Sequence, residues 1–485
     1  MQSDSELTFR DPAGSLRLTP THALRRIRPA AVGETLAFLA SPLRAALEKG
    51  GLLIATEIVP PEEHPLGANG PSPELWLRHP RVDPISYPWE WTTGQWRAAA
   101  ELTLRIAGQA IDAGWTLKDA TPLNILFAGP RPVLVDALSL ERRDPCSSVW
   151  LAYGQFVRTF LLPLVAMKLV SWPLRATLFA RDGYEPREIY RALQPWQRLH
   201  PDLLDVVTFA TLFEGSHGKV KNPDRVPSTS NTNPELATHI LHKRVARLGK
   251  QIRRAAKLAR PSQWSNYQQI ASHYSSADTD DKQRFVKGIL ERYRPARVLD
   301  IGANTGTYSL LAAEAGAQVV ALDSDAAAIE VLWQSVAKRG SAVTALLADI
   351  ARPTPAAGWR NREQLSLLDR LTGQFDLVLM LAVIHHLILR EQLPLAHIGD
   401  LCASLTRRWL VLEWVPPSDP MYQEWLRGRD HLYGHFSEDD LKLAFAPFFN
   451  VVDRSALGNG RVLFLFERHE GEHDQSDPHS DASPA

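Results

Sequence analysis

The segment Arg297–Thr307, RVLDIGANTGT, carries the residues best spaced for chemistry. Val298, Leu299 and Ile301 are apolar and strand-forming, and a helical pattern, YSLLAAEAG, follows. Between them lies Asp-x-Gly-x-Asn-x-Gly, formed by Asp300, Gly302, Asn304 and Gly306. A strand–glycine turn–helix unit lets backbone approach a ligand closely and leaves free N–H groups at the helix start. The spacing departs from the GxGxxG dinucleotide fingerprint. An acid two residues before the first glycine suits a ligand with an ammonium group and would repel a pyrophosphate.

Downstream residues extend this pattern. AQVVAL is an apolar strand ending at Asp323, placed to accept hydrogen bonds from ribose hydroxyls. VTALLAD ends at Asp349. Phe375–Leu381 (FDLVLML) is a nearly all-apolar strand running into Ala382-Val383-Ile384-His385-His386. Such strands end where ligands bind in parallel sheets, so either histidine could orient an acceptor or take its proton; stacking on neighbouring loops is the structural alternative. Glu413, at the end of a fifth strand, leads into WVPPSDP, either a pocket wall or a rigid crossover. Strands alternating with helices predict an α/β unit with a mostly parallel sheet covered on both faces. Gly458-Asn459-Gly460 predicts a hairpin and one antiparallel strand at the end.

This ordered series resembles the class I S-adenosylmethionine (SAM)-dependent methyltransferases, over about 200 residues. The resemblance implies a Rossmann-like domain with a seven-stranded sheet, its last strand antiparallel, and SAM as cofactor. Asp300, Gly302 and Gly306 would hold the methionine end, Asp323 the ribose and Asp349 the adenine side. Asp376 would begin the fourth-strand motif. Leu381 to His385 would border cofactor and acceptor, with His385 or His386 as the catalytic candidates. Asn304 stands where the commonest motif has Gly; Asn tolerates left-handed backbone angles. The Asn/Asp-Pro-Pro-aromatic motif of many amine methylators is absent from the fourth strand, which slightly favours an oxygen or carbon acceptor. No metal is expected.

In the N-terminal half, Asp119 and Asn124 lie five apart and Asp136 follows an apolar strand pair joined at Gly129-Pro130. Kinases use an Asp for the acceptor hydroxyl, then Asn and a second Asp for magnesium. The glycine-rich phosphate loop and strand lysine of kinases are missing, and Asp136 is followed by Ala137-Leu138. The expectation is a mixed α+β, kinase-like domain whose three residues either retain phosphotransferase chemistry or hold turns. Tyr87, Trp89 and Trp91 around Pro88 could stack on a sugar or a base, or pack a core. The order SYPWEW, LKDATPLNILF, PVLVDALSLE and LEWVPPSDP resembles a bacterial two-domain methyltransferase family that includes a host-specific nodulation protein.

The 485 residues divide into an N-terminal domain (1–235), a basic bridging helix (236–262), a methyltransferase domain (263–468) and a tail (469–485) too polar to order. The linker candidate is Lys219–Pro234. Basic residues equal acidic ones at 54, so a polyanion-binding surface over the whole protein, and with it a nucleic-acid partner, is not expected. The helix around 241–260 keeps one apolar face, with lysines and arginines over the rest; it reads as a phosphate, RNA or lipid surface or as a docked bridge. Two cysteines, no apolar leader and no run long enough to span a bilayer predict a cytoplasmic protein. The partner would be a small-molecule or glycan acceptor, with a non-catalytic SAM-binding module as the alternative. Oligomeric state is left open.

Overall fold

The computed structural model describes residues 11–64, 75–213, 233–257, 276–426 and 428–469. Most of the linker candidate and all but His469 of the tail lie outside the described residues. Two units emerge, Met1–Pro261 with Ala356–Leu365, and Ser262–Pro355 with Ser366–Ala485.

The first unit begins with an antiparallel sheet whose strands Gly14–Leu18, His22–Ile27, Leu75–Pro80 and Glu57–Ile58 lie side by side in that order. The helix Thr93–Asp112 is opened by a capping box in which Thr92 and Gln95 satisfy each other's backbone N–H. Trp96, Ala99, Ala100, Leu104, Ala107 and Ala110 bury one broad face of it. Tryptophans fill the interior. Trp91 meets Trp96 and Phe127 edge-on at 6.0 and 5.1 Å, and Trp96 Nε1 donates to the Phe160 carbonyl at 3.0 Å. These rings pack a core, whereas Trp196 is 72% exposed.

The basic helix spans Pro234–Ala255 and docks through Leu241, Leu248 and Ile252 within this unit. Its cations are partly paired: Arg247 with Asp205 at 2.8 Å, Arg254 with Asp202 at 2.5 Å and Arg253 with Glu101 at 3.7 Å. The segment 356–365 also belongs here. Arg181 contacts Glu363 at 3.3 Å and Gln364 at 2.8 Å, and the Leu365 N–H donates to the Tyr87 hydroxyl at 3.0 Å. No helix among the described residues is long and apolar enough to cross a membrane.

The second unit is a seven-stranded mixed sheet. Its strands are β1 (Arg297–Ile301), β2 (Gln318–Asp323), β3 (Val343–Leu347), β4 (Phe375–Met380), β5 (Thr406–Trp414), β6 (Phe449–Ala456) and β7 (Val462–Arg468). They lie side by side in the order β3-β2-β1-β4-β5-β7-β6. The first five are parallel, and β7 is antiparallel to both β5 and β6. The last strand in the chain is antiparallel, as expected, and the sheet inserts it between β5 and β6. The patterning explains this. β7 reads VLFLF and is buried throughout that run, which needs cover on both faces. β6 reads NVVDRSA after its first residue and is largely exposed, so it suits the edge.

Phe464 is fully buried on β7 with its ring 5.5 Å from that of Phe466. Phe464→Ala should destabilise the second unit by about 3–5 kcal/mol, through lost apolar transfer and a residual cavity. Urea unfolding followed by tryptophan fluorescence measures this.

Candidate functional site

The loop after β1 is shaped by steric exclusion. Gly302 has φ 75° and Gly306 φ 86°. A Cβ on Gly302 would lie 2.3 Å from Val383 Cγ2, and one on Gly306 would lie 2.1 Å from Leu332 Cδ1. Leu332 is fully buried and cannot easily yield. Asn304 takes φ 49°, so the position that departs from glycine keeps the left-handed turn. Backbone bonds brace the loop: Gly302 and Ala303 N–H both donate to the Leu322 carbonyl at 2.9 Å. The helix Thr307–Glu314 starts directly after its N-cap Gly306, so its N-terminal end lies beside the loop.

The acids surround this loop at different depths. Asp300 is 2% exposed and accepts the Ser309 hydroxyl at 2.6 Å. Burial pushes its pKa up to about 6, with Asp323 adding to the rise and Ser309 and Lys282 opposing it. Asp323 ends β2; it accepts the Asn304 N–H at 2.8 Å through Oδ2 and the Asp325 N–H at 2.8 Å through Oδ1. Burial raises its pKa as well. Asp349 lies past the end of the neighbouring β3, and its Oδ1 takes the Ala351 N–H at 2.9 Å. Asp376 stands at the other end of the sheet, where Oδ2 accepts the N–H groups of Ala296 and Arg297 at 2.9 Å. It braces the start of β1 and is remote in function from the loop.

The end of β4 meets the loop directly. Leu381 is buried, Ala382 adopts φ 56°, and Val383 fills the space against Gly302. A non-glycine residue at positive φ stores strain, commonly at ligand sites. His385 and His386 then open the helix Ile384–Leu389. Their rings lie 4.1 Å apart, and His386 meets Trp425 edge-on at 4.7 Å. Burial, followed by the neighbouring His386 and Arg461, holds His385 well below the usual imidazole range. Burial, Arg390 and Arg461 lower His386 to about 4.

Sequence reading missed a buried ionic chain beside these groups. Glu413, fully buried near the end of β5, receives Lys282 Nζ on Oε2 and Arg461 Nη1 on Oε1, the latter at 3.2 Å. Arg461 Nε also donates to Asp419 Oδ2 at 2.8 Å. Lys282 Nζ sits 5.1 Å from the centre of the Tyr308 ring. No local pattern marks Lys282 or Arg461; only the hairpin glycines before Arg461 and the helix start at Tyr308 hint at their positions.

The cradle fits the cofactor implied by such a site. Two glycines leave open backbone, Asn304 Oδ1 is buried without a hydrogen-bond partner among the described residues, and carboxylates at the ends of β1 and β2 suit a ligand with ammonium and hydroxyl donors. The strand order and this loop define a class I methyltransferase-type domain. Residues 242–448 match the family model described as a methyltransferase domain. The chain is 27% identical over 472 residues to nodulation protein NoeA of Rhizobium meliloti (strain 1021), covering 96% of both. Among solved structures it is similar to the N-methyltransferase NodS of Bradyrhizobium japonicum WM9, crystallised with S-adenosyl-L-homocysteine. That likeness has 15% identity and a TM-score of 0.31, over 42% of this chain and 100% of that one. Magnesium protoporphyrin IX methyltransferase of Synechocystis PCC 6803, with bound SAM, is 20% identical, with a TM-score of 0.29 over 39% of this chain and 80% of that one. The C-terminal half of the chain carries a methyltransferase domain, and most of it lies in the second unit.

Asp119, Asn124 and Asp136 belong to the first unit. The Arg25 guanidinium grips Asp136, which also accepts the Ser139 hydroxyl at 2.7 Å and the Leu138 N–H at 3.1 Å. Burial opposes the Asp136 charge, but Arg25 and these donors outweigh it and hold the carboxyl below its ordinary range. Asn124 Nδ2 donates to Ser139 Oγ at 3.0 Å, so Asp136 and Asn124 are spent on one turn. Burial and Asp136 raise Asp119. No group of three or more potential metal ligands occurs among the described residues. Removing the guanidinium would strand a buried carboxylate, so Arg25→Ala should cost about 3–5 kcal/mol. Guanidinium unfolding of the full chain measures that loss, and Arg25→Ala/Asp136→Leu should recover much of it.

Proposed function

We propose that the protein methylates a small-molecule or glycan acceptor in the cytoplasm, using the loop 300–306 and its flanking acids to hold SAM. The observation that carries this reading is the loop itself, where Gly302 and Gly306 admit no side chain and Asp300, Asp323 and the helix start surround the opening. When bound, the cofactor supplies a methyl group activated on a sulfonium. The Asp300 charge would favour the ammonium end, and the N-terminal end of the helix Thr307–Glu314 would favour the carboxylate. Asp323 would accept from the ribose hydroxyls, Asp349 would flank the adenine, and Leu381 would close the apolar side. His385 and His386 border the acceptor. The protein's main task is to align the partners and exclude water.

Two free thiols, with Cys402 buried, suit a reducing compartment. No nucleic-acid partner is invoked, because the arginines at 247, 253 and 254 of the basic helix face acids of their own unit. We read the first unit as a kinase-like fold turned to acceptor recognition or regulation. The engagement of Asp136 by Arg25 supports that reading over phosphoryl transfer.

Calorimetry of SAM binding tests the site. Asp300→Ala and Asp323→Ala should each weaken affinity by about ten-fold or more, since a lost charged hydrogen bond is worth roughly 1.5–3 kcal/mol. Unchanged affinity in both variants would sink the assignment.

Binding should also depend on pH. Asp300 titrates at about 6, and only its ionised form attracts an ammonium group. Affinity should therefore rise as pH increases through 6 and fall below it, with Ser309 and Lys282 supporting the ionised form and Asp323 opposing it. Asp300→Asn should flatten that profile. The same shift acts oppositely on stability: a carboxyl with a raised folded pKa loses folding free energy as pH climbs from about 4 to 6.

A further inference from the structure

The first unit carries an apolar patch and a row of cations that methyl transfer does not use. Trp196 and Leu199, at the turn Gln197–Leu199, are 72% and 71% exposed. Phe209 and Leu212, on the helix Phe209–Phe213, are 47% and 57% exposed. The Thr208 hydroxyl donates to the Arg198 carbonyl, which sets Leu199 beside Phe209. Leu203, Val206 and Val207 are buried and anchor the chain between them. Large apolar groups gathered on an anchored surface mark an interaction site. The stretch 214–232 that follows in sequence holds two valines and no larger apolar residue, so its composition offers them no matching cover.

The chain between Leu199 and Phe209 is clamped to the helix Pro234–Ala255. Asp205 pairs with Arg247 Nε at 2.8 Å, Asp202 with Arg254 Nη1 at 2.5 Å, and Gln251 Nε2 donates to the Asp202 carbonyl at 2.8 Å. Lys243, Arg247, Lys250 and Arg254 recur at spacings of four and three, so they form one row along the helix, opposite the buried Leu241, Leu248 and Ile252. Lys243 and Lys250 are exposed and, unlike those two arginines, have no carboxylate partner among the described residues; the same holds for Arg244 and Lys257. The sequence has no acid from Leu236 to Lys257. The apolar patch therefore borders a row with positive charge to spare.

We propose that this face of the first unit docks on an anionic lipid bilayer. A bilayer surface satisfies both halves at once. Headgroup phosphates face Lys243 and Lys250, and the acyl boundary beneath them receives Trp196, Leu199, Phe209 and Leu212. An indole suits that boundary, with an apolar ring and an N–H that stays among the headgroups. Single-stranded RNA is disfavoured, because leucines offer no face on which bases stack. A second copy of the chain is disfavoured, because covering the patch would also draw the unpaired lysines out of water. The attachment is peripheral and salt-sensitive: lysines supply the attraction and apolar side chains the hold. It does not depend on what the second unit methylates.

Flotation of the full chain with vesicles tests this. The chain should float with vesicles of phosphatidylglycerol mixed equally with phosphatidylcholine, and stay behind with phosphatidylcholine alone. Lys243→Gln/Lys250→Gln should weaken binding to the anionic vesicles by about 30-fold, since each lysine near such a surface is worth roughly five-fold. Trp196→Ser/Leu199→Ser should weaken it by about ten-fold or more, through lost apolar burial. All four positions are exposed, so both variants should keep the wild-type urea midpoint, which separates a lost contact from unfolding. No flotation of the wild-type chain, equal binding to both vesicle types, or unchanged binding in either double variant overturns the proposal. A dimer in sedimentation velocity that Trp196→Ser/Leu199→Ser dissociates would overturn it by assigning the patch to a second copy. Binding of a labelled single-stranded RNA that both double variants abolish would overturn it in favour of RNA.

Discussion

The contact between Gly302 and Val383 governs the second unit. A hydrogen in place of a side chain at position 302 lets the end of β4 close against the loop after β1. Those two strands are neighbours in register, Leu379 beside Asp300, so the loop and the histidine turn leave the sheet at the same level. The strand order reverses at this place, and side chains of both halves converge beyond the carboxyl ends of the strands. Gly306 makes the same allowance for Leu332 one turn later. A larger residue at either glycine would move the helix start away from the opening.

Burial sets the electrostatics of the place so formed. Asp300 sits on a central strand flanked by β2 and β4, so its charge is costly and its pKa lies near 6. The ionic chain Lys282–Glu413–Arg461–Asp419 is almost wholly withdrawn from water. Burying four charges repays little in net stability, and such networks chiefly specify one arrangement of the elements that carry them. Here they tie the helix Ser276–Tyr293, the end of β5 and the start of β7. The same logic applies in the first unit, where Arg25 and Asp136 join a strand to the turn after Leu134.

Much of the second unit was legible locally. The apolar runs of β1, β2 and β4 announce strands buried on both faces, and Asp300, Gly302, Gly306 and Asp323 announce the loop. Asp376 shows the limit. Its place in the fourth-strand motif is readable, but the sheet puts it at the amino end, where it braces backbone. The position of β7 between β5 and β6 was obscured because a hairpin signal states only that two strands pair, not which of them meets the rest of the sheet. In the first unit, Asp119, Asn124 and Asp136 have readable spacing, yet the partner that decides their chemistry, Arg25, lies 111 residues away in sequence.

The sequence by itself determined the elements, the glycine loop and the acids at strand ends, because these depend on periodicity, backbone freedom and position relative to a turn. Tertiary structure alone decided which charges neutralise one another. Lys282 and Glu413 are 131 residues apart, and Glu413 and Arg461 are 48 apart, so no window of sequence contains these pairs. The same long-range packing withdrew His385 from water and left its Nδ1 without a hydrogen-bond partner among the described residues. That is a property of desolvation and distance, and it appears only once the chain has closed around the ring.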